Sequence, residues 1–166
     1  LTNQPRDIAE SKLSISLHQK DNFANYLSSV YKTTLVERVG LIRAGIPADY
    51  FYDTAQAMEV SLADLSKCLG VPLSLVYSIK SRGSPSQKKS LSNQLIGIHL
   101  LIAQVQNLVE ECGDPEGFDA AKWLGDWGFS PNASLGGHRP ADYFDTVVGQ
   151  NVIANLLSAI RYGVYQ

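Results

Sequence analysis

One stretch of the chain constrains the fold more than any other, because its apolar residues recur at intervals of 4, 3, 4, 3 and 4. They are Leu91, Leu95, Ile98, Ile102, Val105 and Val109. This spacing places them on one side of a long α-helix, which we expect to begin after Ser86 and to end near Cys112. Such a helix either packs against the core of its own chain or forms a homodimer interface, and core packing is the favoured interpretation.

The rest of the chain also predicts helices, since no segment alternates apolar and polar residues for long enough to be a strand. Short helices are expected after Asp21 or Asn22, between Thr34 and Ala44, and from Pro47 onward. Their expected buried residues are Phe23, Tyr26, Leu27, Val30 and Tyr31 in the first helix and Tyr50, Phe51, Thr54, Ala55 and Met58 in the third. The sequence therefore predicts an all-α fold.

Residues 62–82 predict two short helices joined by a glycine turn. Ser61 is expected to cap a helix from Leu62 to Leu69, and Gly70 permits the left-handed backbone that ends it. Pro72 then starts a second helix. This pattern is typical of a helix-turn-helix, although any helix pair joined by a glycine would show it, and we favour the helix-turn-helix.

The charge distribution favours DNA as a ligand of this helix pair. The chain carries a formal charge of −2, from 14 Lys and Arg against 16 Asp and Glu, so it is not coated with basic residues. No acid occurs between Asp64 and Glu110, where five basic residues lie. This window is either a solvated surface or a field that attracts a polyanion. The residues expected on the exposed, DNA-contacting side of the second helix are Leu73, Ser74, Tyr77, Ser78 and Ser81, with the basic residues Lys80 and Arg82 near its end.

The histidines and cysteines do not indicate a catalytic or metal site. His99 lies in the apolar run without a second ligand nearby, so we expect a hydrogen-bonded core or interface histidine. Cys68 and Cys112 lack CxxC spacing and fit small core residues of a cytoplasmic protein. The uncharged run from Ser90 to Val109 is too polar to span a membrane. We expect no enzyme activity, no metal, no cofactor and no membrane contact.

The last third of the chain predicts three further helices. Pro115 and Pro140 are each expected in the first turn of one of them. The first would carry Phe118, Ala121, Trp123 and Leu124, and the second Tyr143 and Phe144. A last helix from about Val148 to Tyr162 is expected to end at Gly163 and to bury Val152, Ile153, Leu156, Leu157 and Ile160.

Three spaced motifs in this region carry a resemblance. They are Pro131-Asn132-x-x-Leu135-Gly136-Gly137-x-x-Pro140, Thr146-x-x-Gly149 and Leu156-Leu157-x-x-Ile160-x-Tyr162-Gly163-Val164-Tyr165. Together they resemble the toxin-binding domain of Xre/MbcA/ParS-type antitoxins, the partners of RES-domain toxins. The match is dense over residues 123–165 and looser over residues 35–112, where the family has an Xre-like helix-turn-helix.

The resemblance implies an antitoxin that masks the active site of an NAD-consuming, ADP-ribosyltransferase-like toxin and represses its own operon as a homodimer. It implies the helix-turn-helix and long helix over residues 34–112 and the toxin-binding domain over 113–166. Residues 1–30 have no counterpart in the family, and we expect an N-terminal extension with one short helix over residues 1–33. The implied toxin contacts are Arg139, Arg161, Tyr162, Gly163, Val164 and Tyr165.

Two departures from the family pattern bear on these expectations. Ser74, Ser78 and Ile79 stand where relatives usually carry arginines, which removes bidentate contacts to guanine and phosphate. Residues 126–129 lengthen the linker between Trp123 and Pro131, and this loop is expected to alter the toxin contact. A stand-alone transcriptional regulator with a C-terminal dimerisation or sensing domain is the alternative function.

Overall fold

The computed structural model describes residues 20–82, 85–113 and 115–161, and these residues form helices and connecting turns without a strand. The α-helices are α1 (Lys20–Tyr31), α2 (Leu35–Ala44), α3 (Asp49–Ala57), α4 (Leu62–Cys68), α5 (Leu73–Arg82), α6 (Pro85–Cys112), α7 (Ala120–Gly128) and α8 (Val147–Arg161). Two short 3-10 helices, Ala133–Leu135 and Pro140–Tyr143, lie between α7 and α8. The all-α prediction is confirmed.

The long helix α6 is the centre of the fold, since α1, α2, α3, α5, α7 and α8 all pack against it. Its predicted stripe is buried from Leu91 to Val105, and Val109 is half-buried. The core-packing interpretation is therefore confirmed. The stripe is covered by the chain's own helices, so these residues do not form a homodimer interface, and the homodimer itself stays a prediction.

His99 on α6 joins three helices through hydrogen bonds, as expected of a core histidine. Its Nδ1 lies 3.2 Å from Tyr26 Oη on α1, and its Nε2 lies 2.8 Å from Thr54 Oγ1 on α3. Thr54 Oγ1 donates to the Tyr50 carbonyl at 2.5 Å, so it accepts from His99 Nε2–H and leaves Nδ1 to accept from Tyr26. Complete burial lowers the pKa of His99 from 6.5 to about 3, which keeps the ring neutral.

Local capping explains where the amino-terminal helices begin and end. Thr34 and Glu37 form a capping box at the start of α2, and Gly45 ends that helix. Ser61 caps α4 by accepting from Asp64 N at 3.0 Å. Gly70 takes the left-handed φ of 61° that the turn before α5 requires.

Several expectations for individual residues are wrong. Tyr31, Val152 and Ile160 are 39%, 41% and 42% exposed because each lies at the edge of its helix's buried side. Cys112 is exposed at the end of α6, whereas Cys68 is half-buried against the core. Leu73 is likewise half-buried and packs on the core.

The proline-based helix starts in the last third also need correction. Pro115 lies in a turn, and α7 begins at Ala120 because Asp119 caps it by accepting from Lys122 N at 2.9 Å. Pro140 begins a 3-10 helix of only four residues. The expected linker loop over 126–129 is mostly helical, since α7 continues to Gly128.

The carboxyl-terminal helices share the core of the amino-terminal ones. Gly125 of α7 lies so close to α3 that a Cβ there would stand 2.1 Å from the Met58 carbonyl oxygen. Helix α8 runs alongside α6, where Gln104 Nε2 donates to the Ala154 carbonyl at 2.8 Å. Gln150 of α8 fills the space left by Gly97 of α6. The division at residues 112 and 113 stays a prediction.

Candidate functional site

Helix α8 presents an apolar surface that nothing in the described part of the chain covers. No charged residue occurs between Val147 and Ile160. Ile153, Leu156 and Leu157 face the core. On the other sides Val147, Val148, Val152 and Ile160 are 49%, 74%, 41% and 42% exposed, and we call these four residues the α8 surface. These exposed apolar residues make the α8 surface a candidate for a contact with another protein.

The motif residues at the start of α8 have structural roles. Thr146 Oγ1 accepts from Gly149 N at 3.0 Å, which satisfies a free amide in the first turn. Gly149 packs against the preceding 3-10 helix, where a Cβ would stand 2.1 Å from the Tyr143 carbonyl oxygen. Gln150 Nε2 donates to the Phe144 carbonyl at 2.8 Å. These contacts fix the direction in which α8 leaves the turn.

The turn before α8 is closed by its own backbone. Asn132 Oδ1 accepts from Ser134 N at 2.9 Å, and the Asn132 carbonyl accepts from Gly137 N at the same distance. Gly136 and Gly137 have φ values of 65° and 87°, which residues with a Cβ rarely adopt. The first motif therefore encodes a compact turn that leads into Pro140.

Arg139 is exposed at this turn and already has a partner in its own chain. Its guanidinium donates to Asp142 Oδ1 from Nη2 at 2.7 Å and from Nε at 3.2 Å. Its backbone amide donates to Asp142 Oδ2 at 3.1 Å. These bonds hold the pKa of the Asp142 carboxyl below its usual value. A role in binding a partner stays a prediction for Arg139.

The other predicted toxin contacts lie at the end of the described chain. Arg161 is the last residue of α8, and its side chain lies outside the described residues. Tyr162, Gly163, Val164 and Tyr165 also lie outside them. The structure thus places the attachment point of this segment at the end of the α8 surface and leaves its contacts as predictions.

The stacked pair of Trp123 and Trp127 was not among the predicted site residues. Their rings lie on α7 with centroids 5.4 Å apart and planes 12° from parallel, and both are half-buried. The sequence feature that could have revealed this pair is its spacing of four residues, which puts two side chains next to each other on a helix. The pair packs against the core and exposes part of its aromatic area.

The second candidate surface is the outer side of α5. Ser74, Tyr77 and Ser78 are exposed there, Tyr77 to 53%. Ser78 Oγ donates to the Leu75 carbonyl at 2.9 Å. The side chains of Lys80 and Arg82 lie outside the described residues. The predicted helix pair, its Gly70 turn and a buried Val71 are present, and DNA contact stays a prediction.

Neither a metal site nor a membrane span is found in the described ranges. No group of three or more His, Cys, Asp or Glu residues there is arranged to hold a metal ion. None of the helices in these ranges combines the length and apolar content needed to cross a bilayer.

Comparison with known proteins gives two matches. Residues 115–163 match the family described as the antitoxin Xre/MbcA/ParS C-terminal toxin-binding domain, and this range includes α7, both 3-10 helices and α8. The chain is also 30% identical over 137 residues to the "Prs ADP-ribosylating antitoxin" of Sphingobium sp. (strain YBL2). That alignment covers 82% of this chain and 86% of the relative.

Proposed function

The chain belongs to the family of Xre/MbcA/ParS antitoxins, and from this premise we propose that it neutralises an ADP-ribosylating, RES-type toxin by masking its active site. Antitoxins of this family bind their toxin through the C-terminal domain, so the protein is a binding partner and not an enzyme. The observation that carries the proposal is the uncovered α8 surface, which lies inside the matched region.

The α8 surface supplies the apolar part of the proposed contact. Val148 and Val152 lie one helical turn apart, so both can enter one shallow groove of a partner. No charge has to be desolvated between Val147 and Ile160 when this surface is buried, and the exposed amides of Asn151 and Asn155 then need hydrogen-bond partners on the toxin.

The proposed polar and aromatic contacts extend the α8 surface at its end. Arg161, Tyr162, Gly163, Val164 and Tyr165 follow directly, and Arg139 lies on the turn that precedes α8. Arginine and tyrosine are the residue types that most often dominate binding energy at interfaces. We assign the masking of the NAD-binding cleft of the toxin to this end of the chain.

Co-expression with the adjacent toxin gene tests the proposal. The double variant Val148→Glu/Val152→Glu is expected to raise the toxin dissociation constant at least about 100-fold. The reason is that two valines that the toxin covers in the proposed complex are replaced by carboxylates. Leu35→Glu, on an equally exposed position of α2, is the matched control and should bind toxin normally. Deleting Val164–Gln166 should also weaken binding while leaving the helical content unchanged. Full growth rescue by the double valine variant and by the truncated chain would contradict the proposal.

We also propose that α5 binds operator DNA, so that the antitoxin represses its own operon as a cytoplasmic homodimer. The supporting observation is the exposed side of α5, where Ser74, Tyr77 and Ser78 have no acidic neighbour in sequence and precede Lys80 and Arg82. Lys80→Ala/Arg82→Ala should weaken promoter binding in gel shifts, with a shallow dependence on salt because few phosphate contacts are made. If the chain bound its promoter but did not bind the product of the adjacent gene, the stand-alone regulator would be favoured.

A further inference from the structure

A cleft with a volume of about 830 Å³ lies between helices α1, α3, α6 and the start of α7. None of its described lining residues belongs to α5 or α8, so it is separate from both surfaces of the proposed function. A volume of this size is typical of sites that hold a small organic molecule. The side chains that line the cleft therefore indicate which kind of molecule it would take.

Tyr50 of α3 lines the cleft with a hydroxyl that has no hydrogen-bond partner in the described part of the chain. The residue is 4% exposed, yet every fully enclosed side-chain nitrogen or oxygen atom in that part of the chain is hydrogen-bonded. The Tyr50 hydroxyl is therefore reached from outside, through the cleft. The neighbouring Tyr26 differs, since its Oη bonds to His99 Nδ1 at 3.2 Å. A nearly buried hydroxyl that opens into a cavity indicates a polar group of a ligand there.

Asp53 of α3 supplies a negative charge beside this hydroxyl. Its carboxylate forms no hydrogen bond or ion pair with the residues that the structure describes. Partial burial and the charge of Asp49 hold the pKa of Asp53 above its usual value. Burial, together with the charge of Asp53, raises the pKa of Tyr50 to about 12, so the hydroxyl stays protonated. This end of the cleft has a negative potential that favours a cation.

The rest of the lining is aromatic and apolar. Phe23 lies with its ring centroid 6.2 Å from that of Tyr50, and Tyr31 and Phe118 add two further rings. The buried residues Ile102 and Ala103 of α6 lie between the helices. Aromatic rings attract cations and also pack against methylene groups. The lining therefore fits a cation that carries an aliphatic body.

The carboxylates of the cleft come from different elements. Asp53 is on α3, Glu110 is on α6 and Asp119 precedes α7, and Lys32 is the one basic side chain among the described lining residues. No three acidic, histidine or cysteine residues in the described ranges are close enough together to hold a metal ion. A compact cation would reach one carboxylate, whereas a long molecule with several charges can reach all three.

We propose that the cleft binds an aliphatic polyamine, in which methylene segments separate positively charged amino groups. One ammonium group lies at Asp53 and donates to the Tyr50 hydroxyl oxygen, and the others approach Glu110 and Asp119. The methylene segments cover the aromatic and apolar surface between them. The inference goes beyond the proposed function, and neither depends on the other.

Isothermal titration of the full chain with spermidine tests the site, at about 150 mM salt to screen unspecific attraction. One molecule per chain is expected to bind, with a dissociation constant below about 1 mM. Asp53→Asn should raise this constant at least about fivefold, and Tyr50→Phe should raise it about two- to fivefold. Asp53 is exposed and the hydroxyl has no partner to lose, so both variants keep the fold. Asp126→Asn, at an exposed position of α7 outside the cleft, is the matched control and should bind normally.

Two further measurements separate the cleft from general attraction between charges. Ser28→Trp places a large ring in the cleft from an exposed position of α1 and should abolish binding. Spermidine should raise the Tm of the natural chain, whereas magnesium at the same concentration should not. The proposal would be overturned if the full chain did not bind spermidine, or if Asp126→Asn weakened binding as much as Asp53→Asn. It would also be overturned if Ser28→Trp bound normally, or if magnesium raised the Tm equally.

Discussion

Helices α2 and α8 each have an apolar side that the described residues leave uncovered, but they are built differently. The glycine of α8, Gly149, is pressed against the Tyr143 carbonyl, whereas the glycine of α2, Gly40, faces open space. Helix α2 has a charge in its first and last turns, whereas α8 has none between Val147 and Ile160. An exposed helix side therefore does not identify its own partner.

The two glycines give the largest expected difference between these helices. Gly149→Ala should lower the free energy of unfolding by about 3 kcal/mol, because the new methyl group collides with backbone that cannot move aside. Gly40→Ala is the matched control and should not destabilise the monomer. Urea unfolding, followed by the fluorescence of Trp123 and Trp127, measures both. Equal effects of the two substitutions would remove this distinction between the helices.

Acid is expected to act through His99, where α6 meets α1 and α3. His99 is protonated near pH 6.5 in the unfolded chain but only near pH 3 when buried, so the unfolded state binds more protons between these values. Stability is therefore lost as the pH falls, by about 2 kcal/mol from pH 7 to pH 5. Urea unfolding at both pH values should show this loss in the natural chain and a smaller loss in His99→Gln. An identical pH dependence of the two proteins would contradict the assignment to His99.

The smallest expected effect comes from the arginine near the α8 surface. Arg139→Gln should weaken toxin binding less than the α8 valine variants do, because Arg139 must give up its bonds to Asp142 to reach a partner. Toxin titration measures this effect. A loss as large as that of Val148→Glu/Val152→Glu would make Arg139, and not the valines, the main contact.

The sequence predicts those features of the fold that depend on neighbouring residues. Thr34 and Gly45 set the limits of α2, and the spacing from Leu91 to Val105 marks the buried side of α6. The exposure of Val152 and Ile160 depends instead on how far α6 and the turns extend beside α8, which no local pattern records. The 3-10 helix at Pro140 likewise depends on packing, since its proline is compatible with either kind of helix.

The location of the candidate site was taken from the family resemblance and stays a prediction at the level of single residues. The motifs that carry the resemblance singled out Thr146, Gly149 and the residues around Gly136, and the structure gives them roles in capping and turning the chain. The α8 surface was missed because Val152 and Ile160 were expected in the core. Helical spacing identifies which residues share a side of a helix, but it does not show how wide the covered side is.

The fit of Gln150 into the space beside Gly97 limits how antitoxins of this kind can exchange parts. A hybrid that joins residues 1–112 of this chain to another C-terminal half retains Gly97 and Gln94 of α6, which pack against the side chain at position 150. Recombination between residues 112 and 115 is therefore expected to give a stable protein only when the residue at position 150 fits both of them.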